Sequence, residues 1–279
     1  MLKARILTVL VLLPLFLAAL FYLQDSYWAI LLLGVTLIGA WEWSRLAAYS
    51  NKASWGYVVA TFLIGMALFF GMSHRLFPSW NILLFGLATV FWVLLVPVWL
   101  ALGRQEKRPL LLALAGWLVL IPTWLALVEL RSISPALLLG LMGVVWVADS
   151  AAYFAGRRFG KHKLAPAISP GKTWEGVAGA LLAVAVYGVL WRAIGHDSTP
   201  LLYSVTTPCL LIALMTLTGL SIQGDLFESW IKRCAGFKDS GHILPGHGGV
   251  LDRIDGLTST LPIAAFAIAL KSLLIPTNA

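Results

Sequence analysis

Residues 224–255 read GDLFESWIKRCAGFKDSGHILPGHGGVLDRID. The stretch holds five of the chain's 12 Asp and Glu residues (Asp225, Glu228, Asp239, Asp252 and Asp255), with Lys232, Arg233, Lys238 and Arg253 among them. It stands in a chain of 279 residues that is 60% hydrophobic and only 11% charged, with a mean hydropathy of +0.88. A soluble domain carries about 25% charged residues. Charge this scarce and this clustered divides the chain into long apolar segments and a few polar islands between them.

Working outward, the apolar segments are each long enough to cross about 30 Å of hydrocarbon. They fall at about 6–23, 27–48, 55–72, 80–102, 110–130, 135–155, 174–194, 201–222 and 256–275. Because they are continuous runs and do not alternate with period two, they read as helices and not as strands of a barrel. The expectation is an all-α, polytopic membrane protein of about nine transmembrane helices in one domain, 1–279. Its N-terminal helices occupy 1–130 and its catalytic helices 135–279, with cytoplasmic loops at 156–174 and 223–255. The first span is long for a signal-peptide core and is followed at once by a second, so it reads as an anchor. Pro97 is expected to kink the fourth span, and Gly176 and Gly179 to let another helix approach the seventh closely.

Basic residues test the count. With the N-terminus in the cytoplasm and nine alternating spans, 16 of the 20 Lys and Arg residues fall on the cytoplasmic side. That bias orients the chain N-in and C-out, and it puts both polar islands on the cytoplasmic face. The net charge of +8 then reads as topology plus attraction to anionic headgroups. No motif that reads nucleic acid is present. Cys209 and Cys234 are too few for a disulfide framework, and no His–Asn partnership points to a catalytic thiol.

The chemistry gathers in the two islands. Asp225, Glu228, Ser229 and Lys232 recur at i, i+3, i+4 and i+7, which places them on one face if the eighth span continues as a helix. A solvated helix end would look the same. After them comes Pro245-Gly246-His247-Gly248-Gly249, a turn whose backbone amides can approach an anion. Asp252, Arg253 and Asp255 follow at the start of the last span. Carboxylates at the exit of one helix and the start of the next can converge, and hard oxygen ligands flanked by cations suit Mg²⁺ holding a polyphosphate. Zinc is disfavoured, because the His residues lack partners at ligand spacing.

The second island begins with Asp149, a carboxylate inside the apolar sixth span; such a residue marks either function or a buried ion pair. Arg157, Arg158, Lys161, His162 and Lys163 follow, then Ser169-Pro170-Gly171-Lys172-Thr173-Trp174-Glu175. Gly171-Lys172-Thr173 is not a Walker site: Pro166 occupies the position of the first glycine, and no strand is expected before it. Residues 169–175 read instead as a polar helix start able to take a phosphate. Glu42 with Arg45, spaced to pair on one helix face, and Glu129 with Arg131 lie near span ends and read as structural.

The pattern Ser229-x-Ile231-Lys232-Arg233-x4-Lys238-Asp239-x-Gly241-x2-Leu244-Pro245-x-His247-Gly248-Gly249-Val250-x-Asp252-Arg253-Ile254-Asp255 resembles the signature of the phosphatidate cytidylyltransferases. Asp149-Ser150-Ala151-Ala152-Tyr153, 160–166, 169–174 and Gly224-Asp225 extend the likeness to bacterial members. The first four spans match only in hydropathy and length, apart from Ala40-Trp41-Glu42-Trp43. The resemblance implies a dimeric inner-membrane enzyme that makes CDP-diacylglycerol and pyrophosphate from CTP and phosphatidic acid. It implies Mg²⁺ on Asp225 and Asp252, with a monovalent cation such as K⁺ nearby.

On that reading Asp225, Asp252, Lys232, Arg233, Lys238, Arg253 and Asp255 carry the chemistry. Asp149, Lys163, Ser169, Lys172, Glu228, His247, Gly248 and Gly249 contact substrate. Three rivals fit less well. A transporter would show paired repeats and mid-membrane charges. A CDP-alcohol phosphotransferase would show a DGxxAR cluster. A lipid-binding scaffold would need no matched carboxylates.

Overall fold

The computed structural model describes residues 2–73, 80–103, 105–194, 199, 205–243, 246 and 248–274. Ten helices follow in order: α1 (Leu2–Tyr22), α2 (Asp25–Leu46), α3 (Asn51–Ser73), α4 (Trp80–Val90), α5 (Val96–Leu102), α6 (Pro109–Ile133), α7 (Pro135–Phe159), α8 (Trp174–Ile194), α9 (Thr207–Cys234) and α10 (Leu251–Leu274). Between α7 and α8 lies a hairpin of β1 (Lys163–Ala165) and β2 (Ser169–Thr173). Among the described residues eight helical rods, counting 80–102 as one, are long and apolar enough to cross a membrane. In α1 a shorter apolar stretch, Leu10–Tyr22, accompanies them. The expected helical membrane architecture is therefore observed.

The fourth rod shows how its proline is accommodated. Pro97 sits in the first turn of α5, directly after a π-helical turn, Phe91–Leu95. Proline lacks an N–H and its ring collides with the carbonyl one turn back, and the wider π-turn relieves both problems without ending the rod. The side chain of Gln223 on α9 donates to the Trp92 carbonyl in that turn.

Two expected boundaries move, and both moves build the site. Residues 223–234, expected as loop, are the last turns of α9. They stay helical because one face is apolar and has somewhere to go. Phe227 is 1% exposed and sits among Trp92, Trp99, Phe91 and Trp43, at centroid distances of 5.5, 5.5, 5.7 and 6.4 Å. Aromatic edge-to-face packing of this kind adds to simple burial. The opposite face then carries Asp225, Glu228, Ser229 and Lys232, as the spacing predicts.

The second move is a correction. Residues 169–173 are not a helix start but strand β2, paired antiparallel with β1 in the register Lys163 to Thr173 and Ala165 to Ser169. A short strand therefore does precede Gly171-Lys172-Thr173, which lies within the second strand of a hairpin and not in a phosphate loop. Pro166 is compatible with the connecting turn, where the Ile168 N–H donates to the Ala165 carbonyl at 3.1 Å. The helix begins one residue later than β2 ends, because the Thr173 hydroxyl accepts the Gly176 N–H at 3.1 Å and caps α8.

Helices α7 and α8 cross closely, as expected from the glycines of 176–179. A methyl group added at Gly179 would overlap the Ala155 side chain, and one at Gly176 would come within 2.9 Å of the Ala152 carbonyl. The Gly179→Leu variant is expected to lose about 1–3 kcal/mol through overpacking, measured as a lower unfolding midpoint in detergent. The Gly34→Ala variant, where an added methyl meets nothing within 4 Å, is expected to melt no earlier than wild type.

Candidate functional site

A cavity of about 640 Å³ opens between α7, the hairpin, α8, α9 and the first turn of α10. Asp149, Lys163, Ser169, Lys172, Asp225, Asp252, Arg253 and Asp255 line it. These eight residues come from both polar islands, so the two islands form one site. The hairpin is what joins them. Lys172, carried by β2, reaches α9, where its ammonium lies 2.6 Å from Asp225 Oδ2 and donates to the Ile222 carbonyl at 3.3 Å. The hairpin in turn is tied to α8 through Glu175, which accepts the His162 N–H at 3.2 Å and lies 2.7 Å from His162 Nδ1.

Asp225 and Asp255 approach because α9 and α10 touch at a glycine. A methyl at Gly224 would lie 2.5 Å from the Asp255 carbonyl oxygen and 2.5 Å from Ser259 Oγ. Asp225 Oδ1 also accepts from Ser229 Oγ, at 3.3 Å. Asp149 from α7 has Asp225, Lys172 and Arg253 as its charged neighbours. The cavity thus sets four carboxylates, Asp149, Asp225, Asp252 and Asp255, against four cations, Arg157, Lys163, Lys172 and Arg253.

Behind the cavity lies a second layer of buried charge. Lys232, 8% exposed, stands between Asp252 Oδ1 at 2.6 Å and Glu228 Oε2 at 3.2 Å. The other Asp252 oxygen accepts the Ser240 and Gly249 N–H groups at 2.9 and 2.8 Å and the Ser240 hydroxyl at 3.0 Å. By accepting from the backbone three residues before it, Asp252 braces the chain as it enters α10. Glu228 Oε1 is buried and has no partner among the described residues.

The residue that sequence reasoning set aside is Glu42. It does not pair with Arg45, whose guanidinium instead stacks over Phe237. Its carboxylate, 1% exposed, crosses from α2 to the start of α10 and accepts the Val250 and Leu251 N–H groups, each at 2.9 Å, and the Ser240 hydroxyl at 3.0 Å. The unsatisfied amides at a helix N-terminus attract an anion; here the anion comes from another helix. The signal was present in the sequence as an ionisable residue in an apolar span. Glu129 and Arg131 likewise find other partners. Glu129 accepts from Asn81, while Arg131 binds Asp25 and the Leu20 and Leu23 carbonyls.

Other expected site residues lie apart from the cavity walls. Arg233 and Lys238 are exposed, and Arg233 donates to the Phe237 carbonyl at 3.3 Å. Gly248 takes φ +83°, which favours glycine, and with Gly249 it supports Asp252. His247, with Leu244 and Pro245, falls outside the described residues.

Among the described residues no three His, Cys, Asp or Glu side chains form a metal cage. The donor set is nevertheless all oxygen, and a buried carboxylate oxygen of Glu228 is left over. This fits Mg²⁺, which keeps water and substrate phosphate oxygens and takes only one or two protein carboxylates.

Comparison with known proteins finds relatives along nearly the whole chain. Residues 3–271 match the model of the cytidylyltransferase family. The chain is 40% identical over 278 residues to the phosphatidate cytidylyltransferase of Pseudomonas aeruginosa, covering 95% of this chain and 96% of the relative. It is 36% identical over 286 residues to that of Haemophilus influenzae, covering 95% and 98%. A phosphatidate cytidylyltransferase of Bacillus subtilis is 43% identical over 129 residues, 46% of each chain.

The Glu42→Gln variant replaces an acceptor by a donor facing three N–H or O–H groups. It is expected to cost about 1–3 kcal/mol in stability and to raise hydrogen exchange in peptides covering 240–251. Unaltered protection there would show that Glu42 does not hold the start of α10.

Proposed function

The chain belongs to the cytidylyltransferase family, and on that premise we propose that its cavity transfers the cytidylyl group of CTP to phosphatidate, giving CDP-diacylglycerol and pyrophosphate. The observation that carries this reading is the convergence of Asp225, Asp252, Asp255, Lys172 and Arg253 on one cavity. A phosphate oxygen of phosphatidate attacks the α-phosphorus of CTP in line. The bond from that phosphorus to the bridging oxygen breaks, and pyrophosphate leaves with the electron pair. The nucleophile is already an anion, so no general base is needed; the protein positions the two substrates and neutralises charge.

Asp225 and Asp252 would hold Mg²⁺, which supplies charge neutralisation on the triphosphate. A monovalent cation such as K⁺ would belong to the same oxygen-rich region. Arg253 and Lys172 bear on the phosphates within the cavity. Lys163 and Ser169 contact substrate from the hairpin side. Asp149, Asp255 and Glu228 orient these cations. Gly248 and Gly249 support Asp252 at the entry to α10, and with His247 they are assigned to substrate contact. Arg233 and Lys238, both exposed, act at longer range by drawing the nucleotide toward the site.

The remaining features of the reading are supported by charge. Arg157, Lys163, Lys172, Lys232 and Arg253 lie on or beside one cavity, and such clustering belongs to a cytoplasmic face. That clustering supports a site on the cytoplasmic face of the bacterial inner membrane, N-terminus inside and C-terminus outside; nine spans and a homodimer working on lipid of its own membrane belong to the same proposal.

Purified protein in detergent is expected to release pyrophosphate from CTP only when phosphatidate and Mg²⁺ are both present. The Asp225→Asn and Asp252→Asn variants are expected to lose at least about 10²-fold in turnover, the scale of removing a preorganised charge contact; Asp225→Asn keeps the wild-type unfolding midpoint, whereas Asp252→Asn also lowers it by taking a partner from buried Lys232. Wild-type turnover in either variant would remove the metal assignment, and no release by folded wild-type protein would favour a lipid-binding scaffold.

A further inference from the structure

A second cavity, of about 400 Å³, runs into the membrane-facing side between α1, α2, α6, α7 and α10. Its size lies within the usual range of ligand pockets, about 300–1,000 Å³. Phe16, Val35, Leu127, Trp146, Ile254 and Leu257 form much of its wall. Its two threonines have no hydroxyl proton left for a ligand, since Thr36 donates to the Leu32 carbonyl at 2.8 Å and Thr123 to the Val119 carbonyl at 2.6 Å. Among the described residues one charged side chain lines it, and that is Arg253.

Arg253 also lines the polar cavity, so the two cavities meet there. Two helices are shared in the same way. On α7, Trp146 faces the apolar cavity and Asp149, one turn on, faces the polar one. On α10, Ile254 and Leu257 face the apolar cavity, and Asp252 and Asp255 the polar one. An apolar groove that ends at a guanidinium beside a phosphate-handling site has the shape of an amphiphile: a hydrocarbon tail joined to an anionic head.

We propose that this groove seats an acyl chain of phosphatidate, with the lipid phosphate delivered to Arg253 from the membrane side. The proposal rests on the cytidylyltransfer reading and specifies where its lipid substrate lies. The groove wall then sets how acyl-chain length affects KM. A bulk membrane lipid resident in the groove would instead serve only to hold α1 against the bundle.

The test narrows the groove from two helices and varies the substrate. The Val35→Phe and Leu127→Phe variants, each checked for an unchanged melting midpoint, are assayed with dioleoyl-phosphatidate and with soluble dihexanoyl-phosphatidate. The expected result is a KM for the long-chain lipid raised by about tenfold, the equivalent of about two buried methylenes. KM for CTP and turnover of the short-chain lipid stay at the wild-type level. Equal effects on both lipids, or none on either, overturn the proposal; if one variant fails to fold, the other decides. Failure of the underlying reading looks different: wild-type protein would then release no pyrophosphate with either lipid.

Discussion

The arrangement depends on one buried ammonium. Lys232 sits between Glu228 and Asp252 where little water reaches. A charge in that position is costly unless it is paired and hydrogen-bonded. Its partners are fixed in turn. Asp252 is held by Ser240 and Gly249, and Ser240 is held by Glu42. The start of α10 is therefore set by charges arriving from α2 and α9 and by hydrogen-bond donors of the preceding loop, and Asp252, Arg253 and Asp255 inherit its position. Partial loss of such a network leaves charges buried without partners, which costs more than the intact network contributes.

A rigid back layer lets the front layer be electrostatically open. The side chains of Lys172 and Asp225 are only partly buried, 22% and 34% exposed, whereas that of Lys232 is 11% exposed. Their ion pair therefore faces the cavity, where a solute can reach it. The hairpin serves the same end. A helix start at 169–175 would have pointed amides at the ligand, whereas the strand extends Lys172 across to α9. The site so built relies on side-chain charge more than on a helix dipole.

The fold and the site differ in how far they were legible. Hydropathy located the rods, because crossing hydrocarbon requires long unbroken apolar runs whatever their neighbours are. The i, i+3, i+4, i+7 spacing of Asp225, Glu228, Ser229 and Lys232 predicted one helix face, and the helix does run on to Cys234. The hairpin was missed because five polar residues containing Pro170 and Gly171 carry no strand period, and its partner strand is three residues long. Glu42 was missed because a carboxylate near a span end looks the same whether it pairs locally or reaches a loop 198 residues away, at Ser240.

What the sequence by itself determined was local and compositional: a helical membrane protein, its rods, its two polar islands and the motif that marks the family. Each follows from solvation or from a pattern written within a few turns of chain. What only the tertiary structure decided was which charges meet. That Lys172 faces Asp225, that Glu42 caps α10, and that Arg253 stands between a polar cavity and an apolar one depend on how the helices cross. Crossing is decided by side-chain shape at distant contacts such as Phe227 among its aromatic neighbours and Gly224 against α10, and no local pattern records those contacts.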